Sequence, residues 1–246
     1  MRAPIATAAV LLTVLPATAA GAPTHPDKAD GKAAIEEIHA LGKGKGVHTG
    51  FELSAAMAQL TASLPSLADR DRVRAESILA RPDDDQRDPA DTHKWSVPEA
   101  PGSPFCLALF CVHWVAASSD APSLASSNAN PAPDYVERMA GILENEVYPC
   151  ENGSGAGACA GSPGLGWRQP AADSGRGGDD RTDVYIEDLY AGEKVFGYVA
   201  VDPGQAQDPS VPHFAYMVLD KDYARFGDGS AASGLAAERV TAAHEY

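Results

Sequence analysis

The chain has 246 residues, 44% of them hydrophobic, with a formal net charge of −15 at pH 7. That length and apolar content support one sizeable domain, or a small helical domain followed by a medium one. The acidic balance excludes nucleic acid and an anionic membrane surface as natural partners and favours solubility.

Met1-Arg2 precedes an apolar run over residues 5–15 and then Pro16-Ala17-Thr18-Ala19-Ala20, where Ala17-Thr18-Ala19 offers a small-x-small cleavage site. This is the pattern of a secretory signal peptide, assigned to residues 1–22, and it predicts a secreted, extracellular protein. The apolar run is too short to span a bilayer, and no other segment reads as a membrane anchor. Residues 23–95 read as a helical leader or propeptide-like region. Its first part, to residue 50, is rich in Gly, Lys, Ala and Pro and reads as mobile, with one short helical patch around 33–41. Leu53, Met57, Leu60 and Leu64 then recur at helical spacing until Pro65 closes the run. Asp69 can cap a second helix through Leu79, with Val73, Ile78 and Leu79 as its apolar residues. Two helices bury too little to fold alone, so they are expected to pack on the C-terminal part of the chain, as a propeptide or as a decoration.

Residues 88–104 are linker-like. The dense apolar run Phe110-Cys111-Val112-His113-Trp114-Val115 predicts a central strand. A lone His alternating with apolar residues reads as a satisfied core or edge residue, so His113 is not taken as a metal ligand. After a polar loop, 134–147 forms an amphipathic helix with Tyr135, Met139, Ile142, Leu143 and Val147 on one side. Three strand candidates come next, at 184–189, 195–201 and 214–219, and a terminal helix covers 235–246. This order of elements is α+β. Cys106, Cys111, Cys150 and Cys159 are even in number and closely spaced in an exported chain, which predicts two disulfides. Local pairing is the simplest of the three connectivities. Neither pair has C-x-x-C spacing and no His cluster stands near them, which argues against a structural zinc site.

The terminal helix carries His244-Glu245, the way the zinc-protease motif H-E-x-x-H begins. The dipeptide alone is weak evidence against a chance pair, because the second His would lie two residues beyond Tyr246. Other segments add to it. Phe110-Cys111-Val112-His113-Trp114-Val115, Pro133-Asp134-Tyr135-Val136-Glu137 and Thr182-Asp183-Val184-Tyr185-Ile186-Glu187-Asp188-Leu189 resemble, in order, a family of secreted bacterial zinc metallopeptidases. Phe196-Gly197-Tyr198, Tyr216-Met217-Val218-Leu219-Asp220 and Val240-Thr241-Ala242-Ala243-His244-Glu245-Tyr246 continue the resemblance. It implies that residues 96–246 are the N-terminal part of a zincin-like domain, with a mostly antiparallel sheet beside an active-site helix. It further implies a peptide or protein substrate, zinc as cofactor, His244 as first zinc ligand and Glu245 as general base. The strand before that helix would be the edge strand lining the substrate cleft, which makes Phe214, Tyr216 and Val218 candidate substrate-binding residues. The chain departs from the pattern in holding one protein ligand where catalytic zinc takes about three plus water. As it stands it is expected to be inactive.

Similar proteins carry alternating Asp before Pro-Asp-Tyr, a calcium-binding pattern. Here the stretch is Ser126-Ser127-Asn128-Ala129-Asn130-Pro131-Ala132-Pro133-Asp134, too poor in anionic ligands to predict strong calcium binding. Asp179, Asp180 and Asp183 make another oxygen cluster that reads as an acidic, solvated turn. Two rival readings remain. One is a non-catalytic, disulfide-tied secreted binding or surface protein. The other is a hydrolase using Asp183, Glu187 and Asp188, which strand alternation would split between faces. The chain has no G-x-S-x-G and no strong Cys-His arrangement.

Overall fold

Five short strands set the architecture of the computed structural model, which describes residues 27–41, 52–85, 87, 93–153, 159, 163–166, 171–172, 175–189, 195–202 and 214–246. The strands are β1 (Phe105–Cys106), β2 (Phe110–His113), β3 (Thr182–Glu187), β4 (Gly197–Val201) and β5 (Ala215–Asp220), in the order β1-β2-β3-β5-β4. The signal-peptide segment 1–22 lies outside the described residues. Among those residues no helix is long and apolar enough to cross a membrane.

The α+β class expected from the sequence is present, but the sheet is mixed rather than mostly antiparallel. β1–β2 and β4–β5 pair antiparallel, while β2–β3 and β3–β5 pair parallel. The cause is connection length. β1 and β2 are joined by a tight hairpin, whereas a helical crossover lies between β2 and β3 and permits a parallel return. A second expectation is overturned by the same topology. β5, the 214–219 candidate, lies between β3 and β4 and is interior; the edge strand is β4.

Both sheet faces are covered. One carries Tyr185, Tyr198, Ala200, Tyr216 and Val218 and packs under three N-terminal helices, α1 (Lys28–Leu41), α2 (Glu52–Ser63) and α3 (Asp69–Ile78). The other carries Val112, Val184, Ile186, Met217 and Leu219. It packs on α4 (Asp134–Ile142) and on α6 (Ala231–Glu245), with α5 (Tyr148–Asn152) continuing α4 through a π-helical turn. The leader is thus more helical than its Gly- and Pro-rich composition suggests. In α1, Ala34, Ile35, Ile38 and Leu41 form one buried face, and the Asp27 carboxylate accepts from the amides of Ala29 and Asp30 at its start. On α3 the capping position is Ala68, with Asp69 inside the first turn where its charge suits the helix dipole. Val73 points outward, 65% exposed. The disulfides are local: Cys106–Cys111, which face each other across the β1–β2 hairpin, and Cys150–Cys159.

A charged network is buried where the N-terminal helices meet the sheet. Arg81, just after α3, donates through Nε and Nη2 to Asp202 at 3.0 and 2.7 Å and through Nη1 to Asp183. His113 bridges Glu99 at 2.5 Å and Asp183 at 2.8 Å, stacked on the Tyr185 ring, so it is the satisfied core residue its alternation suggests. His93 contacts Glu187 at 2.8 Å. Burial alone would pull the His113 pKa down, but its bonds to the Asp183 and Glu99 carboxylates outweigh this and raise it from 6.5 to about 9. The folded protein therefore holds a proton that the unfolded chain releases earlier. That contribution, on the order of 2–3 kcal/mol, is complete below pH 6.5 and is lost as pH rises through about 9. Urea unfolding midpoints should fall steadily between pH 7 and 9, and His113→Gln should flatten that slope. An unchanged slope in the variant would show that the network does not hold the proton on His113.

Candidate functional site

The His244-Glu245 pair singled out in the sequence sits at the end of α6. Ser230 caps this helix, accepting from the Ser233 amide at 3.2 Å. Gly234, Ala237, Glu238, Thr241, Ala242 and Glu245 form its inward face, with the three- and four-residue steps of a helix. Most of them are small, so the helix backbone lies close against β4 and β5. Closest approach comes at Gly197 on the edge strand. A Cβ there would stand 2.7 Å from Thr241 Cγ2 and 3.0 Å from both Glu245 Cγ and Leu219 Cδ2.

This packing buries Glu245 to 4% exposure. Its Oε2 accepts from the Ser54 hydroxyl of α2 at 2.7 Å, and that hydroxyl accepts from the Val199 amide of β4 at 3.2 Å. Hydrogen bonds from Asp220 N to Phe196 O and from Asp202 N to Phe214 O bracket the β4–β5 ladder. By strand alternation the amides of Gly197, Val199 and Val201 then face the free edge. Three elements therefore converge on one carboxyl group: the end of α6, the free edge of β4 and the start of α2. Burial lifts the Glu245 pKa to about 7 against the lowering pull of the Ser54 hydrogen bond, so the group exchanges a proton near neutral pH. Around it, Glu238 is held by Arg138 through two 2.8 Å bonds, and the Tyr246 hydroxyl bonds Asn152 at 2.6 Å.

The other residues singled out in the sequence fall elsewhere. His244 is exposed, one residue round the helix from the inward face. Tyr216 and Val218 are fully buried on the face toward the N-terminal helices, and the Tyr216 hydroxyl donates toward the Leu79 and Ala80 carbonyls. They belong to the core and not to a cleft, while Phe214 is half-buried just ahead of β5. Asp179, Asp180 and Asp183 do not form one cluster. Asp183 turns inward to Arg81 and His113, and Asp179 is bound by Arg181, whose guanidinium lowers its pKa. Asp183 and Glu187 share a sheet face, and Asp188 pairs with Lys221. In the 126–134 stretch, Asp134 accepts from the amide and hydroxyl of Ser127, and Glu137 accepts from Asn128.

Among the described residues, Cys106, Cys111 and Asp179 are a group close enough to share a metal ion, but the two sulfurs are bonded to each other and offer no thiolate. His244 stands outside it. Among the described residues the donor set therefore does not fit a catalytic zinc centre, which takes about three protein ligands. No protein-family model matches the chain, and neither a curated protein nor a solved structure is significantly similar to it.

Ser54, Val199 and Gly197 are the members of this site that the sequence pattern did not single out. Only Gly197 left a signal, as an isolated Gly inside a strand pattern, which marks close backbone approach. Gly197→Ala should destabilise the protein by about 1–3 kcal/mol by pushing α6 off the edge strand. Gly141→Ala, on α4 with only an Asn145 side-chain atom at 4.0 Å from the added Cβ, should be neutral or stabilising. Equal urea midpoints for the two variants would mean that α6 does not depend on the gap at Gly197.

Proposed function

We propose that the chain belongs to a secreted metallopeptidase and supplies its proton-transfer residue, Glu245. The observation that carries this reading is the Glu245 carboxyl, buried against an edge strand and titrating near neutrality. Such a group can take a proton from an attacking water and return it to the leaving amine of a cleaved peptide. The outer edge of β4 beside it, with its Val199 amide taken by Ser54, is the kind of backbone surface that pairs with an extended peptide. The ordered resemblance of six segments supports the same reading and brings zinc into it, with His244 as first ligand. Because the donor set here is incomplete, no step of the reaction is derived through the metal. The apolar N-terminal run and the two disulfides support export. The second reading, a disulfide-tied binding protein without catalysis, draws on the near-complete covering of Glu245 by α2 and β4.

The test is to read the coding sequence past Tyr246 and assay the complete product on an unfolded protein substrate. A His four residues after His244, and cleavage abolished by a metal chelator, are the expected results. Glu245→Gln should then lower turnover at least about 100-fold while metal content stays unchanged. Full activity in that variant would remove Glu245 from the chemistry, and the lack of any cleavage by the complete protein would favour the binding reading.

A further inference from the structure

A carboxylate that works as a base needs one oxygen held still and the other left to reach its proton. The Ser54 hydroxyl accepts from the Val199 amide at 3.2 Å, which ties one of its two lone pairs to the edge strand. Its single proton is thereby directed to Glu245 Oε2, 2.7 Å away. Among the described residues, Ser54 is the one hydrogen-bond partner of this carboxylate, and it engages Oε2 alone. The position of Ser54 is itself rigid. Its neighbours Leu53, Ala56 and Met57 on α2 are fully buried in the core that the N-terminal helices share with the sheet. On the opposite side Gly197 lets the Glu245 side chain lie flush with β4, since any Cβ there would crowd its Cγ.

We propose that Ser54 is a positioning residue for Glu245, fixing its carboxylate against the edge strand through Oε2. This rests on the metallopeptidase reading for its functional meaning, though not for its geometry. It makes the N-terminal helical region a working part of the site instead of a removable leader, because a residue 191 positions earlier in the chain sets the carboxylate.

The test compares wild type, Ser54→Ala, Ser54→Thr and Glu245→Gln in the complete protein. Ser54→Ala should lower kcat roughly tenfold with KM within about twofold, because orientation and not substrate binding is lost. Ser54→Thr, which keeps a hydroxyl at a half-buried position, should recover most of kcat. A second readout needs no activity. The Glu245 side-chain carboxyl 13C resonance, identified by its disappearance in Glu245→Gln, should move in Ser54→Ala and return in Ser54→Thr. If Glu245→Gln is inactive while Ser54→Ala keeps wild-type kcat and an unmoved resonance, the positioning role is overturned and the peptidase reading stands. If Ser54→Thr fails to restore both kcat and the resonance, Ser54 acts through packing and the proposal also falls. If the wild type cleaves nothing, the peptidase reading is lost, and the resonance alone still decides whether Ser54 holds the carboxylate.

Discussion

Arg81 between Asp183 and Asp202 is the contact on which the arrangement of this molecule turns. Both carboxylates stand on a sheet face sealed by the N-terminal helices, where an unpaired anion costs several kcal/mol. A guanidinium meets this demand better than an ammonium would, because its planar fork serves Asp202 with two donors and Asp183 with a third. His113 takes the remaining side of Asp183 and passes the network on to Glu99. The network is not a source of large net stability, since a well-packed apolar triad could do as much. What it supplies is register. Arg81 follows α3 directly, so satisfying Asp183 and Asp202 fixes where the helical region lies across the strands.

That register carries through to Glu245. With the end of α3 pinned over β3 and the end of β4, Leu53, Met57 and Leu60 of α2 settle over Tyr198, Ala200 and Val218. Ser54, one residue from the buried Leu53, then falls at the free edge of β4, within reach of both the Val199 amide and the Glu245 carboxyl. The helical region and the sheet share one core, and this bears on the choice between a propeptide and a decoration. Removing the helical region through Arg81 would expose Tyr185, Tyr198, Tyr216 and Val218 together, take the guanidinium from Asp183 and leave Asp202 with Arg176 alone, a cost far larger than a loosely attached leader implies.

What the sequence made legible was local. Helical spacing in Leu53–Met57–Leu60–Leu64 and in the 134–147 segment, the three strand runs after residue 182 and the close cysteine pairs all reappear in place, because each is decided by residues within a few positions of one another. The order of strands is not decided that way. Val184, Met217 and Val199 lie in register across three strands, yet nothing in any one run states which neighbour it will take. The run 214–219 could therefore be read as an edge when it is an interior strand, apolar on both faces as interior strands are. The bonds of Arg81 to Asp183 and Asp202 and the Ser54 contact were illegible for the same reason: they join residues more than 100 positions apart. Extra helix in α1 was hidden by composition, since its Gly31 and flanking Lys and Asp residues mask a buried face made of Ala34, Ile35, Ile38 and Leu41.

The His-Glu dipeptide shows how one turn of helix geometry divides labour. Adjacent residues on an α-helix point about 100° apart, and His244 and Glu245 fall on opposite sides of the boundary of the inward face. Here the inward place goes to Glu245, seven residues after Glu238 on the same buried face, and His244 faces out. A ligand partner one turn further on would share the outward face of His244, as residues four apart do. His244 and Glu245 thus lie on separate surfaces of the helix. A fully caged carboxylate would be a structural anion, and a fully solvated one would titrate in the ordinary carboxylate range. Burial in the gap opened by Gly197 lifts this group to about 7, against the lowering pull of the single Ser54 hydroxyl.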